Sequence, residues 1–132
     1  MNVLFLDDDP ARRAAFRKSC PRAVIAETAE SAIGWLKYSP LGVWDEVSLD
    51  HDLEGESYVD SLRDDCGMEV VRWVCLNKPD VLTFIVHTHN DDAGDLMVEA
   101  LDRAGYRVLR IPFWRSAAAE SFTYDELLDW CD

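Results

Sequence analysis

Three short runs of the chain carry side chains that could do chemistry: Asp7-Asp8-Asp9, Asp50-His51-Asp52 and His87-Thr88-His89-Asn90. All 3 histidines of the protein fall in these runs. Carboxylates that converge bind hard divalent cations through oxygen, which points to magnesium or manganese on Asp7, Asp8 and Asp50, with Asp52 as a further ligand. Three acids with no basic residue next to them repel one another unless a cation sits between them. His87 and His89, two apart, share a side if the backbone is extended. They could ligate a metal or exchange a proton with a leaving oxygen. Asp50 could instead act as a nucleophile. His51 alternates with its two aspartates and faces either the site or away from it. Thr88 and Asn90 could orient a phosphate or a water, or cap the next helix. Arg110 could reach a phosphate, or lie solvated.

The elements around these runs say why they should meet. Val3–Leu6 is a continuous apolar run, as expected of a strand buried on both faces. Asp9 and Pro10 then read as N-cap and first residue of a helix reaching about Cys20. Residues 23–26 form a second strand, and Thr28 caps a helix with Ala29, Ile33 and Leu36 on one face. The third strand is 46–50, followed by a long polar loop over 51–66. Gly67 opens a helix with Val70, Val71, Val74 and Cys75 as its stripe. A fourth strand spans 81–86, and Asp91-Asp92 leads a helix with Leu96, Met97, Ala100, Leu101 and Ala104 on one side. Gly105 ends it, and 106–111 is the fifth strand. Thr123 and Glu126 form a capping box for a last helix, with Phe122 and Leu127 as its staple.

Strands alternating with helices give an α/β domain with a parallel sheet covered on both faces. In such sheets the ligand site lies beyond the carboxyl ends of the strands, where the acidic and histidine runs fall. A chain of 132 residues fits one domain, 1–132. Its hydrophobic fraction of 48% is that of a folded protein. The net charge of −13 opposes binding to long nucleic acid, which relies on Lys and Arg. A small phosphorylated molecule remains compatible with it. The absence of a membrane-length apolar run or basic leader leads us to expect no membrane partner and a cytoplasmic location. Cys20, Cys66, Cys75 and Cys131 lack metal-type spacing and read as reduced thiols. Of the tryptophans, Trp114 lies just past the fifth strand, where it could border the site.

Val3-Leu4-Phe5-Leu6-Asp7-Asp8-Asp9-Pro10 resembles the opening of response-regulator receiver domains. Ser48-Leu49-Asp50 is similar to the third strand of that family, which ends on its phosphate-accepting aspartate. Ile85-Val86-His87-Thr88, Gly67-Met68-Glu69-Val70-Val71 and Pro112-Phe113 also fit the pattern. The resemblance implies a flavodoxin-like five-stranded sheet in the order 2-1-3-4-5, and magnesium at the acidic pair. Three features depart from it: Ile111 stands where the family has a lysine, the 51–66 loop is long, and the histidines are additions. With them the chain looks like the cyclic-phosphate-processing branch of receivers. That branch implies a metal-dependent phosphoesterase acting on a cyclic phosphate or cyclic nucleotide. The alternatives are a stand-alone receiver phosphorylated on Asp50, and a non-catalytic module that binds a phosphate ligand.

Overall fold

A computed structural model describes residues 1–39 and 42–113. The capping box at Thr123, its helix and Trp114 lie outside the described residues. Five parallel strands form one sheet in the order β2-β1-β3-β4-β5. They are β1 (Val3–Leu6), β2 (Val24–Ala26), β3 (Trp44–Leu49), β4 (Val81–Val86) and β5 (Arg107–Arg110). Among the described residues four helices connect them: α1 (Pro10–Ser19), α2 (Ala29–Tyr38), α3 (Gly67–Asn77) and α4 (Asp91–Arg103). This is the receiver-like fold that the sequence leads one to expect.

The apolar runs become central strands because both faces are covered. All four residues of β1 are buried. On one face Leu4, Leu6, Val47, Leu49, Phe84 and Val86 pack with α2, α3 and α4 residues such as Leu36, Val74 and Met97. On the other, Phe5 gathers Phe16 and Ala15 from α1, and Phe113. Side chains of caps fix the helix starts: Asp9 accepts from the Arg12 N–H and Thr28 from that of Ser31.

Two expectations need correction. The third strand begins at Trp44, two residues early, because the fully buried indole extends the core beyond Glu46. Leu96 is 49% exposed, so it does not belong to the buried stripe of α4. Burial there falls on Ala93, Gly94, Met97 and Leu101, which puts the packed seam one position away from Leu96.

The order of strands reverses between β1 and β3, so the crevice expected of doubly wound sheets opens where these two strands end. α3 starts hard against it. A Cβ placed on Gly67 would lie 1.9 Å from the Asp50 carbonyl oxygen, so only glycine lets α3 approach so closely. Among the described residues no helix is long and apolar enough to cross a membrane.

Candidate active site

A cleft of about 340 Å³ lies at the carboxyl ends of β1, β3 and β4. Asp8, Asp9, Asp50, Asp52 and Glu56 line it against a single cation among the described residues, Arg12. Thr88, His89 and Asn90 form another part of its wall, and Gly55, Ser57 and Tyr58 its loop edge.

Arg12 overturns the premise that the acids have no basic neighbour. It sits in the first turn of α1, and helical side chains lean back towards the N-terminus. That tilt returns its guanidinium to the end of β1. Nε donates to Asp7 Oδ2 at 2.8 Å and Nη2 to Asp7 Oδ1 at 3.0 Å. Nη2 also lies 3.6 Å from Asp50 Oδ2 and 3.9 Å from Asp8 Oδ1. Burial works against charge on Asp7, yet His87 and Arg12 hold its pKa down to about 2. Asp50 goes the other way. Its burial, with the negative charge of Asp7, drives its pKa well above the ordinary value despite Arg12. Asp8 is raised mainly by burial, partly offset by the Gly55 N–H it accepts at 2.6 Å.

The two neighbouring histidines separate. β4 ends at Val86, so strand alternation no longer governs the residues after it. His87 turns into the core, stacked on Phe5 with centroids 4.7 Å apart and planes 9° from parallel. Its Nε2 lies 3.0 Å from Asp7 Oδ2 and its Nδ1 2.8 Å from Ser48 Oγ. Burial lowers its pKa, leaving a neutral ring. That ring donates from Nε2 to Asp7 and accepts from the Ser48 hydroxyl. His87 does not line the cleft. His89 does, and its buried Nε2 has no hydrogen-bond partner among the described residues. Burial first, then the charge of Arg12, lowers its pKa to about 4, so the free imidazole is neutral at pH 7.

His51 also points away from the cleft. Its Nδ1 meets Asp52 Oδ1 at 2.7 Å and its Nε2 meets Ser61 Oγ at 2.9 Å. Asp52, His51 and Ser61 thus stand in the order of a nucleophile triad. The electrostatics give them a different job. Burial disfavours the imidazolium, but Asp52 and Cys66 raise its pKa to about 9. A protonated His51 donates on both sides and braces the loop. Asp52 is in turn saturated: it accepts from the Tyr58 N–H at 2.8 Å, the Val59 N–H at 3.1 Å and Asn90 Nδ2 at 3.2 Å.

The remaining expected site residues divide. Asn90 caps α4 through its Oδ1, and Thr88 Oγ1 accepts from the Asn90 N–H, while both still line the cleft. Arg110 lies over Gly94 and donates to Asp91 at 3.1 Å. It is not part of the cleft wall.

Asp7, Asp50 and His87 each offer one ligand atom within 4.8 Å of the others, so by spacing they could hold a metal ion. Their hydrogen bonding does not suit one as it stands. Asp7 carries Arg12 and His87 on Oδ2, and the Arg12 guanidinium already supplies the countercharge. Asp52 has no vacant role, given the donors from His51, Tyr58, Val59 and Asn90.

The sequence reading missed Arg12, Ser48, Ser61 and Tyr58. Arg12 carried a signal, since a residue two after Pro10 in a helix leaving β1 must lean over Asp7. Ser48 and Ser61 carried none, because their partners lie 39 and 10 residues away.

A doubly wound parallel sheet with an acidic cleft at its β1/β3 switch point defines a receiver-type domain. The chain matches the model of the cyclic-phosphate processing receiver domain over residues 2–103, and it belongs to that family. No curated protein matches it.

Proposed function

We propose that the protein is a phosphoesterase that opens a cyclic phosphodiester to a phosphomonoester, with His89 as general base and Asp50 as general acid. The observation that carries this reading is the orphaned, buried Nε2 of His89, a residue of the cleft wall. A buried nitrogen without a partner is rare and calls for a ligand or water to complete it.

The two candidate proton carriers have environments that push their pKa values in opposite directions, the arrangement that assigns acid and base in one site. Neutral His89 takes a proton from water as its oxygen attacks phosphorus. Asp50, whose burial favours the protonated form, gives its proton to the departing ring oxygen as the P–O bond breaks. Arg12 meets the phosphoryl oxygens and offsets their charge.

The balance of charge favours a diester. A cyclic phosphodiester carries one negative charge, which one guanidinium can match. The product monoester carries nearly two, and Asp8, Asp9, Asp52 and Glu56 repel it. Arg12 holds the substrate, and the surrounding carboxylates expel the product.

A divalent cation, magnesium or manganese as the resemblance implies, would have to use Asp7, Asp50 and His87. Arg12 would first have to leave Asp7, and its guanidinium already supplies the positive charge a cation would bring. Phosphorylation of Asp50 as a switch is less well supported, because burial disfavours the carboxylate form that would attack phosphorus.

The test is incubation of the purified protein with 2′,3′-cyclic nucleotides, 3′,5′-cyclic nucleotides and glycerol 1,2-cyclic phosphate, with EDTA or with added magnesium or manganese. Linear monoesters are read by phosphorus NMR. Turnover that falls by about 10²–10⁴ in His89→Ala supports the reading. No turnover of any of them overturns it, and labelling of Asp50 by acetyl phosphate would then favour the switch.

A further inference from the structure

We propose that Tyr58 is a stacking platform for a nucleobase, so that the substrate is a cyclic phosphate bearing a base rather than one built on a bare polyol. This deepens the phosphoesterase reading and rests on it.

Tyr58 lines the cleft and is 72% exposed. It has not simply been left in solvent, because its backbone is fixed from both sides. Its φ of 53° lies in the left-handed region, which a bulky residue seldom enters unless the surroundings impose it. Here Asp52 does so, accepting the N–H groups of both Tyr58 and Val59. Val59 is only 7% exposed and anchors the next residue inside. Asp52 is itself clamped by His51 and Asn90. On the other side of the loop edge, the Gly55 N–H is tied to Asp8. The loop is thus built onto two carboxylates of the site, and it places one exposed aromatic residue at the cleft.

The chemistry of the wall says what that ring is for. Apart from Pro10 and Gly55, every other lining residue is charged or hydrogen-bonding: Asp8, Asp9, Arg12, Asp50, Asp52, Glu56, Ser57, Thr88, His89 and Asn90. A small polyol cyclic phosphate has no extended flat face to lay on such a ring. A base has, since every nucleobase offers a π-face to an aromatic side chain. A net charge of −13 disfavours long polynucleotides and so favours mononucleotides and short oligonucleotides with a cyclic end.

The experiment measures kcat/KM for a 2′,3′-cyclic nucleotide and for glycerol 1,2-cyclic phosphate in wild type, Tyr58→Ala and Tyr58→Phe. Binding of the same nucleotide is titrated calorimetrically in the three proteins, with circular dichroism to check their folds. The expected result is a preference for the nucleotide that falls about tenfold in Tyr58→Ala through KM and is retained in Tyr58→Phe. Equal efficiency on both compounds in wild type would overturn the platform while leaving the phosphoesterase intact. Turnover of neither would remove the phosphoesterase. Calorimetry would then still decide the platform: affinity weakened by Tyr58→Ala supports it, and unchanged or absent binding overturns it.

Discussion

His87 reaches from the end of β4 to the end of β1 and places Nε2 3.0 Å from Oδ2 of Asp7. The pair is buried, with neither side chain more than 3% exposed. It joins the sheet to the acidic cluster from inside, out of reach of any ligand in the cleft.

Replacing His87 should therefore cost folding stability before it says anything about chemistry. His87→Ala removes a ring stacked on Phe5 and leaves Ser48 and Asp7 each short of a partner. We expect a loss of about 3 kcal/mol in urea unfolding. Ser48→Ala should lose about 1 kcal/mol. If His87→Ala unfolded at the wild-type urea concentration, the structural role assigned to it would be wrong.

The pH profile of kcat/KM should be bell-shaped. Activity requires neutral His89, so it rises with pH through about 4. It also requires protonated Asp50, so it falls as pH climbs through the raised pKa of that carboxyl. Asp50→Asn should lower the rate and remove the falling limb. A falling limb retained in that variant would assign the acid elsewhere.

His51 makes a separate prediction about stability. Its folded pKa, about 9, lies above its ordinary 6.5. The stabilisation is fully present below pH 6.5 and is lost as pH rises through 9. The melting temperature should therefore decline between these values, and His51→Gln should flatten that part of the curve. An equally steep decline in the variant would point to other groups.

Arg12 should decide the metal question. Isothermal titration with manganese is expected to show no tight binding to wild type, because the guanidinium holds the position. Arg12→Gln should lose catalysis of cyclic phosphates by about 10² or more. It should also gain affinity for manganese, since Asp7 and Asp8 would lose their countercharge. Activity of wild type abolished by EDTA and restored by manganese would contradict this account.

Much of the fold was legible because β1 is an unbroken apolar run, and α1, α2 and α4 each start on a side chain that caps them. The strand-end location of the acids and histidines was legible for the same reason. What sequence could not supply was direction. The rule that residues two apart share a side holds only while the strand continues, and β4 stops at Val86. His87 and His89 accordingly part, one into the core and one into the cleft. The sign of charge also misled, because a basic residue five positions from Asp7 in sequence becomes its nearest cation once α1 is coiled. Leu96 fails for a related reason: a helix buries a narrow seam, and small residues at Ala93 and Gly94 define it.

The surplus of carboxylates in the cleft bears on how quickly a substrate arrives. An anion approaching a chain of charge −13 is repelled at long range and attracted only when it nears Arg12. Dissolved ions shorten the reach of that repulsion, to roughly 10 Å at 0.1 M, while leaving the close contact largely intact. Added salt should then speed capture, the reverse of its usual effect on enzymes of anionic substrates. The ionic strength of the surroundings would act on this protein as a throttle on encounter, set by the surface and not by the catalytic groups.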